Sequence, residues 1–145
     1  MDIVEILLAT VAGTSLMTGF SYLVSEASRE LYKEPLLLNI IMKKLGVELQ
    51  GAARTIAAWL LHYFIGLLFV LGYELAWKYT ALGITWMCAL LFGIVSGIAG
   101  ILGWMVIFRL PENPPQIPFK TYYLQLFFAH IIFAFTVIAV YKLYS

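Results

Sequence analysis

Long apolar runs separated by short polar connections dominate the chain, and no run alternates with period two as a half-buried strand would. Four such runs stand out, at 3–24, 55–77, 81–108 and 121–144, and each has at least 22 residues. About 20 residues of helix cross a ~30 Å hydrocarbon layer, so each run is long enough to span a membrane. The expectation is a single all-α domain over 1–145, a four-transmembrane-helix bundle. The third run, ALGITWMCALLFGIVSGIAGILGWMVIF, holds 28 residues without a formal charge. Its small residues Ala89, Gly93, Ser96, Gly97, Gly100 and Gly103 recur at three- and four-residue steps and make one stripe, the pattern that lets membrane helices approach closely. This helix is the expected packing spine.

The connections differ in character. In Ser25–Arg54, SEASRELYKE mixes charges at helical spacing (Glu26/Arg29, Glu30/Lys33) and is expected to prolong the first helix until Pro35 breaks it. PLLLNIIMKKL, about 35–45, is too short to span. It predicts an amphipathic helix in the membrane interface, with Lys43 and Lys44 toward anionic headgroups; a docking surface for a partner subunit is the alternative. Lys78–Thr80 predicts a tight turn that makes its flanking helices neighbours, with Glu74 and Lys78 paired four residues apart. RLPENPPQIPFK carries four prolines and predicts an extended spacer.

Composition then fixes the solvent. The chain of 145 residues is 63% hydrophobic and 12% charged, against about 25% charged in soluble domains. Lipid must cover much of that apolar surface. The net charge of +1 gives no reason to expect nucleic acid. Asp2 and Glu5 stand where a signal peptide would carry bases, so the first run is expected to be a retained helix. The first and third connections hold Arg29, Lys33, Lys43, Lys44, Arg54, Arg109 and Lys120, whereas the opposite side holds Lys78 and Lys142. The excess of positive charge predicts both termini outward and loops 25–54 and 109–120 cytoplasmic, with a bacterial cytoplasmic membrane the expected location.

The candidate chemistry is sparse. No G-x-x-x-x-G-K-[ST] loop, H-E-x-x-H pair or G-x-S-x-G elbow occurs, so no catalytic set is expected. The lone Cys88 permits no intrachain disulfide. Thr10, Thr14, Ser15 and Thr18 in the first run are expected to bond back to the preceding turn or across to another helix. Two histidines lie inside spans: His62 eight residues past Arg54 and His130 ten past Lys120, about 12–15 Å below the same surface at 1.5 Å per residue. Each is followed after eleven residues by Tyr (Tyr73, Tyr141), and the match extends to Leu75 and Leu143, as two parallel two-helix repeats would produce.

Three readings of the pair compete: structural hydrogen bonding within the bundle, bis-histidine ligation of a b-type haem, and a proton or ion path that also uses Glu74. Haem ligation would enlist Arg54 and Lys120 for the propionates. A metal site is not expected, because no carboxylate or thiolate accompanies the imidazoles. The leading functional expectation is a non-enzymatic accessory subunit without cofactor, packing against partner spans or its own copies in a homo-oligomer. A one-haem electron carrier and a small proton-coupled transporter or channel, both through His62 and His130, are the alternatives.

Overall fold

The computed structural model describes residues 2–144, and its regular elements among them are all helices. Five helices follow in order: α1 (Ile3–Ser28), α2 (Glu34–Lys44), α3 (Gly51–Tyr79), α4 (Trp86–Arg109) and α5 (Phe119–Tyr144). All but α2 are long and apolar enough to cross a membrane, so the protein is a four-helix membrane bundle with one short helix between the first two spans.

The most extensive packing is between α4 and α5 and between α1 and α5; α3 joins through α1, and α2 docks on α3. The most fully embedded helix is therefore α5, which buries residues at three- and four-residue steps from Tyr122 to Tyr141. This corrects the expectation that α4 is the spine. The glycines of α4 form the near wall against α5: a Cβ at Gly93 would lie 2.9 Å from the Ile131 backbone, one at Gly97 2.7 Å from the Phe127 ring, and one at Gly100 2.4 Å from the His130 ring. Ala89 and Ser96 are buried on the same side, whereas Gly103 meets nothing within 4 Å beyond its own helix.

The side of α3 turned to the bundle is narrow, consisting of Ala58, His62, Gly66, Val70, Tyr73 and Glu74. Between α3 and α4 the contact is made chiefly by aromatic side chains. Tyr73 stacks on Phe92 at 4.4 Å, and its hydroxyl donates to Ser96 Oγ at 2.9 Å. The turn between them is longer than expected, since α4 begins at Trp86 rather than Ala81. Glu74 does not pair with Lys78. Its carboxylate accepts from the Tyr141 hydroxyl at 2.7 Å, and the one ion pair among the described residues joins Lys33 to Glu26.

The first connection also departs from expectation. Rather than running to Pro35, α1 ends at Ser28, where Arg29 adopts a left-handed conformation (φ 57°). Ser25 secures the reversal: its hydroxyl donates to the Glu30 carbonyl and accepts the Tyr32 N–H. The chain then enters α2 with Pro35 in the first turn, where a missing N–H is harmless. The short α2 helix forms where expected, within a residue of the expected bounds, and also packs inward. Leu37, Leu38 and Ile41 are buried, and Asn39 accepts from Arg54 Nε at 2.7 Å and donates to Thr55. Lys43 and Lys44 remain exposed.

Replacing Gly93 with alanine forces a methyl group against backbone, so α4 and α5 must separate. Gly93→Ala is expected to cost about 1–3 kcal/mol by overpacking. Gly72→Ala, at a site with no neighbour within 4 Å, is expected to leave stability unchanged or raise it, through better helix propensity. Thermal unfolding of the two variants in mild detergent checks the contrast.

Candidate functional site

Eleven residues separate His62 from the start of α3 and His130 from the start of α5 (62 − 51 and 130 − 119). Both rings are therefore about 16 Å along their helices. Both are buried, and both line one cavity of about 260 Å³. Every span contributes to its wall: α1 through Thr14 and Met17, α3 through His62 and Phe69, α4 through Gly100 and Trp104, α5 through His130 and Phe133. The two histidines thus share the wall of one cavity that is otherwise almost wholly apolar.

Proton counting settles which nitrogens are engaged. His130 Nδ1 lies 2.8 Å from the Leu126 carbonyl, which can only accept, so Nδ1 carries a proton and Nε2 is free. The Thr18 hydroxyl donates its one proton to the Thr14 carbonyl at 2.6 Å, so it accepts from His62 Nε2–H at 2.8 Å, leaving His62 Nδ1 free. Each imidazole is held by one hydrogen bond, His130 to its own helix and His62 to α1, and keeps one nitrogen able to accept. Phe69 packs edge-on to His130 at 5.3 Å and Trp59 to His62 at 6.5 Å. Thr14 Oγ1, at the cavity wall, is buried without a partner.

Bis-histidine ligation of haem fits this site poorly. A cavity of about 260 Å³ falls below the ~300–1,000 Å³ typical of pockets for drug-sized ligands, and a porphyrin is larger still. Arg54 is engaged by Asn39 and the Leu49 carbonyl.

A second polar cluster lies toward the α2 end of the bundle, and sequence reasoning missed it. Glu34, the first residue of α2, is fully buried (0% exposed). Ser21 of α1 donates to Glu34 Oε1, and Gln125 Nε2 of α5 donates to Ser21 Oγ at 2.5 Å. Tyr122, also of α5, is close enough to Glu34 to sense its charge, and its ring lies 5.9 Å from that of Tyr32. Glu34 Oε2, Gln125 Oε1 and Tyr122 Oη are all buried without a partner. Burial pushes the Glu34 carboxyl up to about 8, against the opposing pull of the Ser21 and backbone hydrogen bonds. Glu34 reads as one acid among many in a mixed-charge stretch; the available signals were Ser21 and Gln125, polar residues inside otherwise apolar spans.

Comparison with known protein families, with characterised proteins and with solved structures returns no match to this chain.

The folded-state value of Glu34 lies above the ordinary 4.5, so the native protein binds this proton more tightly than the unfolded chain. That stabilisation is complete below about pH 4.5 and is lost as pH rises toward 8. Glu34→Gln keeps the shape and cannot ionise. It is expected to flatten the decline in thermal stability across this window, as measured in sodium-free detergent buffer.

Proposed function

We propose that this small multi-pass membrane protein binds and conducts a small, mainly apolar solute through the cavity between His62 and His130, as a minimal transporter or channel. The observation that carries this reading is the sharing of one cavity by two buried imidazoles, each with a free nitrogen, in a wall built by all four spans. Ionisable side chains inside a membrane are costly and mark solute or proton paths. The apolar walls suit a hydrocarbon portion, and the two nitrogens suit hydrogen-bond donors on the solute. Gly66 against Thr14 and Gly100 against the His130 ring hold α3 to α1 and α4 to α5 around the cavity. Glu74 and Tyr141, near the opposite end of the bundle, give such a path a polar exit.

An accessory role in a larger complex is the second reading. It draws on the exposed Gly19 and Gly72, which meet nothing within 4 Å, and on the groove between α1 and α3 where the Ser15 and Tyr63 hydroxyls bond at 2.7 Å near the surface. A partner span could cover these positions. By the positive-inside pattern, we place the α2 end of the bundle in the cytoplasm.

The test is uptake into proteoliposomes across a panel of small neutral and amine solutes. His62→Ala and His130→Ala are each expected to reduce flux or ligand affinity about tenfold, the equivalent of one lost hydrogen bond. Unchanged flux in both variants, or none for the wild type across the panel, overturns the reading. Stoichiometric co-purification of another membrane protein would then favour the accessory role.

A further inference from the structure

Glu34 presents a problem that its hydrogen bonds leave unsolved. A carboxylate removed from water needs a compensating charge or must hold a proton. The surrounding groups supply no cation. Ser21 and Tyr22 belong to α1, Tyr32 and Lys33 precede α2, and Tyr122 and Gln125 come from α5; Lys33, the one base among them, is paired with Glu26. Arg54 on α3 is engaged by Asn39, the bases at this end of α4 and α5, Arg109 and Lys120, are exposed, and α4 otherwise contributes the aromatic rings of Trp104 and Phe108 against Tyr122.

The unpartnered atoms are also of one kind. The Ser21 proton goes to Glu34 and one Gln125 N–H goes to Ser21. What remains is Glu34 Oε2, Gln125 Oε1 and Tyr122 Oη, three buried oxygens. Gln125 is 6% exposed and Tyr122 0%. Oxygens of a carboxylate, an amide and a hydroxyl are the ligand type a hard cation takes, and the single negative charge is balanced by a monovalent one, with water completing the coordination. The position of Glu34 in the first turn of α2 adds to this, since a helix N-terminus favours the ionised carboxylate that such a cation requires.

We propose that Glu34, Gln125 and Tyr122, oriented by Ser21, form a buried binding site for a monovalent cation of the sodium class, in exchange with a proton on Glu34. The site joins α1, α2 and α5, so occupancy fastens the short helix to the bundle. It stands apart from the histidine cavity and does not depend on what that cavity carries. Binding displaces one proton: the Glu34 carboxylic acid releases H⁺ to solvent as the metal ion enters. Apparent affinity for the cation therefore falls about tenfold for each pH unit below the carboxyl pKa and levels off above it.

The experiment is a titration of the purified full-length chain with NaCl against choline chloride at constant ionic strength, at pH 9 and pH 6. Melting temperature and equilibrium binding of radioactive sodium are read in parallel. Sodium is expected to raise the melting temperature at pH 9, with an apparent affinity at least tenfold weaker at pH 6. Glu34→Gln abolishes the response, and Tyr122→Phe, which removes one oxygen and keeps the ring, weakens it several-fold. Equal stability in sodium and choline at pH 9 shows that the site holds only a proton or a water molecule and overturns the proposal. An undiminished sodium response in Glu34→Gln overturns it equally. The wild-type comparison stands even if Glu34→Gln fails to fold.

Discussion

The close approach of α4 to α5 is the constraint on which the remainder of the bundle depends. Lipid supplies no hydrophobic force between spans, so helices associate where backbones can come near enough for dense contact. Gly93 against the Ile131 backbone and Gly97 against Phe127 allow that approach, and Gly100 leaves the space the His130 ring occupies. With α5 fixed in this way, its other side receives α1, where Gly13 sits against Phe133 and Val137. The third contact in the series, Gly66 against Thr14, brings α3 to α1. The cavity is what remains where α3 and α4 are held apart by Tyr73, Trp77 and Phe92.

This arrangement sorts the polar side chains by depth. Ser21, Thr18 and Thr14 descend one side of α1 at roughly one-turn intervals, facing in turn Glu34, His62 and the cavity. Two of the three hydroxyls act across helices rather than simply bonding back to their own turn. Most buried polar atoms are satisfied in this way, as lipid demands. The exceptions gather at the cavity wall, at Thr14, and around Glu34. Unmet hydrogen-bonding capacity in a membrane interior costs several kcal/mol per group, so its concentration at two places argues that those places hold something.

The spans were legible in the sequence because length and hydropathy alone decide them, and the observed helices exceed the expected runs by only a few residues at most ends. The depth of the two histidines was equally legible from counting. The central position of α5 was not. Small residues advertise only one half of a helix pair, and the half that receives them, Phe127, His130 and Ile131, looks like any apolar span. The docking of α2 was hidden for a related reason. Its anchor is an acid preceding a proline, a pattern common at solvent-exposed helix starts, and the partners Ser21 and Gln125 lie 13 residues before and 91 after it (34 − 21 and 125 − 34). A contact so distant in sequence leaves no periodic trace.

His62 and His130 line one cavity with opposite ring nitrogens engaged. Nitrogen-15 NMR of histidine-labelled protein in lipid bilayers tests this most directly. Two imidazoles in different tautomers are expected at pH 7, one protonated on Nε2 (His62) and one on Nδ1 (His130), assigned through single His→Ala variants. Two rings in the same tautomer, or an imidazolium whose signal follows bulk pH as a lipid–water interface residue would, contradicts it.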